Sequence, residues 1–359
     1  MSPFQELREN LSAAPASWLV TGVAGFIGSN LLEALLRLGQ KVAGLDNLST
    51  GCAGNLAQVR AAVGPDCWRN FHWIKGDIRD AALCQRVTRK VDFVLHQAAL
   101  GSVPRSLEEP ILTNDSNVNG FINLLWAAHV NGVKRFVFAS SSAVYGDETA
   151  LPQRENRIGR CLSPYAASKR INELYADVFC RCYGMETMGL RYFNVFGPRQ
   201  DPNGAYAAVI PKWIAAMLEK EPVCIHGDGS TSRDFCYVAN VVQANLLAAT
   251  TKNARAVNQT INIALGAQTS LNELFHLLRD HLSLTHGYVG GCQPRHGKFR
   301  PGDILHSQAD IGQARRLLGY RPTHNLEQGL DEALDWYVGD FSARRKGAAR
   351  GVKKAVQVR

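Results

Sequence analysis

Short apolar runs alternate with longer segments along the first half of the chain. Apolar residues dominate positions 18–21, 42–45, 71–75, 91–99 and 135–140, and runs of this length predict strands. Between them, apolar positions recur with the helical period, which predicts helices. Mostly apolar strands that alternate with helices are typical of a parallel sheet covered on both faces. The pattern predicts a doubly wound α/β fold that binds its ligands at the carboxyl ends of the strands.

A glycine-containing turn joins the first predicted strand to the first helix. Gly22 permits a tight turn, Gly25 lets the backbone approach a pyrophosphate, and Gly28 lets the helix pack closely on its strand. The N–H groups and the dipole at the start of the helix favour an anion. Alone, the glycine spacing also fits a plain structural turn.

The residues that follow the next two strands favour a dinucleotide. Asp46 ends the second strand, where a carboxylate meets the ribose hydroxyls of an adenosine. The uncharged residues 47–49 that follow favour NAD over a cofactor with a 2′-phosphate. Asp77 and Ile78 are placed to hold the adenine, and the small residues Ala98, Ala99 and Gly101 leave room for a flat group.

A candidate catalytic group follows the fifth strand. Ser141 lies at the end of that strand, and Tyr165 and Lys169 are spaced to share one face of a helix that Ser163 and Pro164 would start. A phenol has a pKa of about 10, but a neighbouring ammonium and a cationic nicotinamide both favour the phenolate. Tyr165 is therefore predicted to be a base, and Lys169 to lower its pKa and hold the nicotinamide ribose.

Composition and charge are those of an ordinary globular protein. The chain has 359 residues, of which 46% are hydrophobic, and a formal net charge of +9. Seven cations and no acid lie in residues 344–359, so the body is nearly neutral and residues 341–359 are predicted to form a disordered basic tail. We therefore expect neither a nucleic-acid nor a membrane partner. No signal peptide or membrane-spanning run is evident, which favours the cytoplasm.

The cysteines and histidines do not suggest a metal site. Nine cysteines are scattered along the chain without a CxxC pair, and the ten histidines are similarly dispersed. This usage is typical of reduced thiols in a cytosolic protein. We expect no metal.

Several motifs occur in order along the chain, at residues 21–28, 46–51, 76–78, 140–146, 165–169, 190–198, 227–229 and 233–235. Together they resemble the extended short-chain dehydrogenase/reductase family. Among its nucleotide-sugar epimerases, the chain is most similar to the UDP-N-acetylglucosamine 4-epimerases of bacterial surface-polysaccharide pathways. The resemblance runs from about residue 18 to residue 337, and residues 200–211 are especially similar. One departure is Asn240, where the family usually has Asp.

The resemblance implies an N-terminal NAD-binding Rossmann domain over residues 1–195 and a smaller α/β substrate domain over residues 196–340, interleaved with the first. It implies that NAD contacts Gly22, Gly25, Phe26, Ile27, Gly28, Asp46, Asn47, Ser49, Asp77, Ile78, Gln97, Ala98, Ala99, Asn117, Tyr165 and Lys169.

The resemblance also implies a UDP-sugar site. Asn194 would bind the diphosphate together with Arg233 and Arg300, whose planar guanidinium groups suit phosphate. In the related epimerases the position of Ser307 faces the C2 substituent, and a small residue there leaves space for an N-acetyl group. Ser307 could equally cap a helix over residues 308–318. The substrate residues implied are Ser102, Ser141, Ser142, Tyr165, Asn194, Ala208, Val209, Ile225, Arg233, Arg300, Asp303 and Ser307.

The implied activity is a reversible 4-epimerisation with Ser141, Tyr165 and Lys169 as catalytic residues. A 4,6-dehydratase would have Asp-Glu after the strand-end hydroxyl residue, whereas Ser142 and Ala143 follow Ser141 here. A UDP-glucose/UDP-galactose epimerase and a non-catalytic NAD-binding sensor remain alternatives.

A homodimer is common in the family and would be formed through the helix that carries Tyr165. The apolar residues that make such an interface possible are Ile171, Leu174, Val178 and Phe179.

Overall fold

A computed structural model describes residues 3–202, 208–299 and 304–356, with side chains to residue 345. Thirteen strands lie in these residues: β1 (Ser17–Thr21), β2 (Lys41–Asp46), β3 (Phe71–Lys75), β4 (Phe93–His96), β5 (Arg135–Ser141), β6 (Thr187–Tyr192), β7 (Val195–Phe196), β8 (Cys224–His226), β9 (Ser232–Arg233), β10 (Cys236–Tyr237), β11 (Thr260–Ile263), β12 (Thr269–Ser270) and β13 (Arg295–Gly297).

The same ranges contain twelve α-helices: α1 (Pro3–Ala13), α2 (Phe26–Arg37), α3 (Ala53–Trp68), α4 (Ala81–Val87), α5 (Val103–Glu108), α6 (Pro110–Asn114), α7 (Gly120–Val130), α8 (Pro164–Tyr183), α9 (Val209–Glu219), α10 (Val238–Thr250), α11 (Leu271–Ser283) and α12 (Leu326–Val356). Four shorter helices of 3₁₀ or π type are Asp115–Asn119, Ser142–Tyr145, Gly287–Gly291 and Ala314–Leu318.

A seven-stranded parallel sheet forms the centre of the fold, in the order β11-β6-β5-β4-β1-β2-β3. Successive side chains of each strand point to opposite faces of the sheet. In β1, Trp18 and Val20 pack in one hydrophobic core, and Leu19 packs in another. Helices α2 and α10 pack in the first core, and α7 and α8 in the second. The prediction of a doubly wound parallel α/β sheet is confirmed.

A further hydrophobic core forms where α9, α11 and α12 pack together. Its largest members include Trp213, Phe275 and Tyr337. The chain nevertheless returns to the large sheet between residues 238 and 263, because α10 packs beside α2 and β11 pairs with β6. The chain therefore passes more than once between the two predicted regions, residues 1–195 and 196–340.

Two helical segments are irregular, and one predicted helix starts later than expected. A π-type segment, Asp115–Asn119, directly precedes α7, and α3 is kinked at Gly64, where φ is +77°. Residues 308–311 are not helical, and helix begins only at residue 312. Ser307 therefore caps no helix.

The predicted disordered tail also differs from the structure. Helix α12 continues to Val356, Phe341 packs against the core of α9 and α11, and Arg344 pairs with Asp201 at 3.1 Å. The charge pattern of residues 341–359 does not reveal these contacts. Within the residues that the structure describes, no helix combines the length and the apolar character needed to cross a membrane.

Candidate active site

The turn between β1 and α2 depends on very close backbone packing. Gly22 has φ +67°, a conformation that glycine adopts without strain. A Cβ on Gly28 would lie 2.1 Å from the carbonyl oxygen of Gly22, which is impossible without moving backbone. The turn is anchored to β2 because the Gly22 N–H donates to the carbonyl of Leu45 at 2.8 Å. The structure thus has the glycine cradle that a pyrophosphate requires.

A cleft of about 560 Å³ opens from this turn along the carboxyl ends of the strands. It brings together both ends of the predicted site, from the glycine turn to Tyr165. The predicted residues that line it are Gly22, Gly25, Phe26, Ile27, Gly28, Asp46, Asn47, Ser49, Asp77, Ile78, Gln97, Ala98, Ala99, Ser141, Ser142, Tyr165, Lys169 and Asn194. These residues and the glycine cradle fit a dinucleotide.

Asp46 both faces the cleft and holds the loops around it. Its carboxylate accepts the N–H of Ala24 at 2.9 Å and that of Leu48 at 2.8 Å. Burial raises the pKa of Asp46, although these two hydrogen bonds oppose the rise. A carboxylate has about four acceptor positions, so two remain for ribose hydroxyls.

Asp77 is more heavily engaged than the sequence suggests. Arg79 donates three hydrogen bonds to its carboxylate, and Asn47 Nδ2 donates a fourth at 2.8 Å. The hydrogen bond from the Arg79 side chain is the main cause that lowers the pKa of Asp77 to about 2. Because its acceptor positions are filled, this carboxylate can bind an adenine only if Arg79 or Asn47 moves.

A buried pair supports the glycine turn from below and was not predicted. His96 Nδ1 and Thr21 Oγ1 are 2.7 Å apart, and the Ala98 N–H donates to Thr21 Oγ1 at 3.3 Å. Burial lowers the pKa of His96 to about 3, so the ring is neutral. The pair ties the ends of β1 and β4 together beneath the cleft.

The catalytic candidates lie where α8 meets the end of β5. Ser163 caps α8 by accepting the Ala166 N–H at 3.1 Å, which fixes the helix start at Pro164, directly before Tyr165. The side chain of Ser141 hydrogen-bonds to Tyr165, and Lys169 Nζ donates to the carbonyl of Ala139 at 2.8 Å. Lys169 Nζ is 6.0 Å from the centre of the Tyr165 ring.

The protein environment acts on the two titratable groups in opposite directions. Burial raises the pKa of Tyr165, and the hydrogen bond with Ser141 lowers it. Burial lowers the pKa of Lys169 to about 8, because a buried ammonium loses hydration. Removing a proton from Tyr165 therefore requires further positive charge beside the phenol, of the kind a nicotinamide cation supplies.

Several predicted residues lie away from this cleft. Asn117 is buried and does not line the cleft, and its amide hydrogen-bonds both backbone groups of Leu100 and the hydroxyl of Ser168. Ile225 is fully buried in the core of α9 and α11 and is not among the described residues that line the cleft. Ser102 does not line the cleft, and it caps α5 by accepting the Arg105 N–H.

The remaining substrate candidates lie around β9 and the start of α9. Arg233 Nη1 donates to the carbonyls of Ser232 and Leu305, and Ser307 is buried beside this strand with its N–H on the Ser232 carbonyl. Ala208 and Val209 start α9. Arg300 and Asp303 lie outside the described residues.

The structure adds cleft residues that sequence reasoning missed. Tyr192 ends β6 and shares hydrogen bonds with Gln97 and Asn245, all at 2.8–3.2 Å. Its position beside Asn194 in one motif could have indicated it. Among the described residues, no group of three His, Cys, Asp or Glu side chains is arranged to hold a metal ion.

Comparison with known proteins identifies the family. Residues 18–264 match the NAD dependent epimerase/dehydratase family. The chain belongs to this family. NAD is therefore its cofactor, and the glycine cradle and Asp46 are where its sequence and structure fit that cofactor.

Known relatives and solved structures are similar to this protein over nearly the whole chain. A UDP-glucose 4-epimerase from Mycolicibacterium smegmatis is 36% identical over 89% of this chain and 97% of its own length. A UDP-N-acetylglucosamine 4-epimerase from Methanobrevibacter ruminantium, solved with UDP-N-acetylmuramic acid, is 39% identical, with a TM-score of 0.83 over 91% of this chain and 99% of that one. A UDP-glucose 4-epimerase from Thermus thermophilus, solved with NAD, is 34% identical, with a TM-score of 0.77 over 90% and 99%.

We predict that Gly28→Ala abolishes NAD retention, because its Cβ would meet the Gly22 carbonyl at 2.1 Å. NAD released from the denatured protein would be measured by absorbance. Gly287→Ala is the control, since a Cβ there meets nothing within 4 Å. Normal NAD content in folded Gly28→Ala would contradict this account of the turn.

Proposed function

We propose that this protein is a UDP-sugar 4-epimerase that interconverts UDP-N-acetylglucosamine and UDP-N-acetylgalactosamine. The observation that carries the proposal is the meeting of Ser141, Tyr165 and Lys169 at one end of a cleft whose other end is the glycine cradle. A hydroxyl, a phenol and an ammonium at this place suit removal of a proton from a sugar hydroxyl.

In the proposed mechanism, ionised Tyr165 accepts the proton of the 4-hydroxyl and Ser141 holds that hydroxyl by a hydrogen bond. NAD, when bound, supplies the chemistry that accepts hydride and later returns it. Lys169 holds positive charge next to the phenolate and binds the nicotinamide ribose. A 4-keto sugar that turns over in the site would regain its hydrogen on the other face, which gives the epimer without net oxidation.

The cleft composition disfavours dehydration as the alternative. A dehydratase needs an acid and a base next to the strand-end hydroxyl, but Ser142 and Ala143 occupy those two places, and the Ala143 N–H donates to Ser141 Oγ at 3.1 Å. Among the described residues that line the cleft, the carboxylates are Asp46 and Asp77, at the ends of β2 and β3. Elimination of water therefore lacks its usual acid–base pair here. A non-catalytic sensor would have no need to keep Tyr165 and Lys169 together.

The preference for N-acetylated sugars rests on Ser307. This small, buried residue lies beside the strand of Arg233, the proposed diphosphate ligand, because its N–H bonds the adjacent Ser232 carbonyl at 3.1 Å. We propose that its small size leaves room for the acetamido group. A ring at this position would reject the larger substrate by steric overlap.

We further propose that the protein forms a homodimer through α5, α6 and α8. Leu107, Ile111, Leu174 and Val178 expose 46–77% of their surface on these neighbouring helices, and such an apolar patch is typical of an interface. Phe179, which the sequence also suggested, is 6% exposed and packs in the core between the sheet and α8. The proposed dimer face therefore depends on the four exposed residues, Leu107, Ile111, Leu174 and Val178.

We predict that Tyr165→Phe lowers kcat by about 10²- to 10⁴-fold and leaves UDP-sugar binding intact, since it removes a proton acceptor and little volume. Turnover would be followed by chromatography of the UDP-sugars, and binding by calorimetry. Tyr183→Phe, which changes an exposed tyrosine at the end of α8, is the control. A kcat close to that of the wild type would rule out Tyr165 as the base.

We predict that the wild type prefers UDP-N-acetylglucosamine and UDP-N-acetylgalactosamine over UDP-glucose and UDP-galactose. Ser307→Tyr should lower kcat/KM for the acetylated pair at least about tenfold and spare the other pair, because the ring occupies the acetamido space. Ser307→Ala keeps the space and should retain the preference. An unchanged kcat/KM for UDP-N-acetylglucosamine in folded Ser307→Tyr would show that this residue does not face the sugar.

We predict that Leu174→Glu gives a monomer, because a charge at the centre of an apolar interface is costly to bury. Light scattering after size exclusion would measure the mass. Leu284→Glu, at a leucine that is 85% exposed near the end of α11, is the control. If both variants remain dimeric, the interface is elsewhere.

A further inference from the structure

Three side chains of α8 contact the same short stretch of β5. Tyr165, Lys169 and Glu173 follow each other at intervals of one helical turn, so they share one face of α8. Tyr165 bonds Ser141, and Lys169 bonds the carbonyl of Ala139. Glu173 Oε1 accepts the hydroxyl of the residue between them, Ser140, at 2.6 Å. The contact of Glu173 is outside the proposed chemistry.

The Glu173 carboxylate accepts four hydrogen bonds from three residues. Arg191 forms a bidentate pair with it, Nε to Oε1 and Nη2 to Oε2, both at 2.9 Å. Arg170 Nη1 donates to Oε2 at 2.8 Å, and Ser140 supplies the fourth bond. Both members of the pair are 2% exposed. Although burial raises the pKa of Glu173, the hydrogen bonds and charge of Arg191 keep it below its ordinary value.

Arg191 extends the network to two other parts of the site. It lies on β6 directly before Tyr192, which lines the cleft. Its Nη1 donates to the hydroxyl of Tyr145 and to the carbonyl of Glu155, both at 3.1 Å. The Tyr145 hydroxyl donates in turn to Asn262 Oδ1 on β11 at 2.7 Å. One buried guanidinium therefore links α8, β5, β6 and β11.

A buried ion pair is a costly way to stabilise a fold, because apolar side chains of similar volume often serve as well or better. The ion pair instead fixes a position, because four hydrogen bonds to the Glu173 carboxylate restrict sliding of α8 along β5. Reaction rates respond strongly to such displacement, and an error of about 1 Å in a catalytic group can cost 10²-fold.

We propose that Glu173, held by Arg191, is a positioning residue that sets Tyr165 and Lys169 against the Ala139–Ser141 end of β5 for the reaction. This inference rests on the proposed function, because the reaction it serves is proton transfer by Tyr165. Glu173 acts through Ser140 and the helix and touches neither cofactor nor substrate.

The first test is Glu173→Gln, which keeps the size but turns an acceptor oxygen into an NH₂ that faces the donors around it. We expect kcat to fall about 10- to 100-fold, with KM and NAD content changed less than about threefold, because position is lost and binding is not. All measurements would be made at a temperature where circular dichroism shows the variant fully folded.

A control ion pair lies at the other end of β5, where the glutamate is 48% exposed. Arg135 and Glu186 form another pair between β5 and the segment before β6, with Nη2 and Oε2 2.6 Å apart, near the amino ends of these strands and therefore at the edge away from the cleft. Glu186→Gln should leave kcat unchanged. A kcat for Glu173→Gln within twofold of the wild type would overturn the proposal, as would a fall that only follows the folded fraction.

A second variant, Ser140→Ala, keeps the ion pair and every charge but cuts the link to β5, and it decides the question if Glu173→Gln does not fold. We expect a lower kcat and also a lower pKa of the Lys169 ammonium, by at least about half a unit in NMR titration, as its hold on the Ala139 carbonyl weakens. An unchanged kcat and Lys169 pKa would overturn the proposal. Absence of C4 turnover by the wild type would instead refute the proposed function, while the Lys169 titration would still test the positioning.

Discussion

The close contact between Gly28 and Gly22 is the constraint on which the site depends. A side chain on Gly28 would overlap the Gly22 carbonyl, so only two glycines let α2 start directly above the end of β1. That approach also brings Ala24 within reach of the Asp46 carboxylate, and Ala24 in turn accepts the N–H of Cys52 at 3.0 Å. The glycine turn, the ribose acid and the loop before α3 are thus one connected structure. A shift of α2 would disturb all three.

Sequence reasoning succeeded where the signal is local. The turn between β1 and α2, the acid after β2 and the cap, phenol and ammonium of α8 each lie within a few residues of one another, so spacing alone determines their geometry. The parallel sheet then brings them together, because the carboxyl ends of its strands lie at one edge. For the same reason, the doubly wound sheet could be predicted from the alternation of strands and helices.

Sequence reasoning failed where a role depends on distant partners. The resemblance implied that Asn117 contacts NAD, but its amide hydrogen-bonds Leu100 and Ser168, which no local pattern reveals. Ile225 lies on the short strand β8, and its side chain packs in the hydrophobic core of α9 and α11. The importance of Glu173 is visible only when Arg191, eighteen residues later, is placed beside it. A charged residue on a helix is ordinarily a solvated one, and only its burial distinguishes this case.

The electrostatics of Tyr165 and Lys169 explain why such positioning matters. The protein alone disfavours both charged forms, since burial raises the pKa of the phenol and lowers that of the ammonium. Each charge is therefore stabilised by the other, and a cation bound beside them would further stabilise the phenolate alone. Coulomb energy at short range in a site of low dielectric changes by kilocalories over small distances. The basicity of Tyr165 consequently depends on the distance between the phenol and the charges around it. Here that distance is set by the contacts of α8 with the carboxyl end of β5.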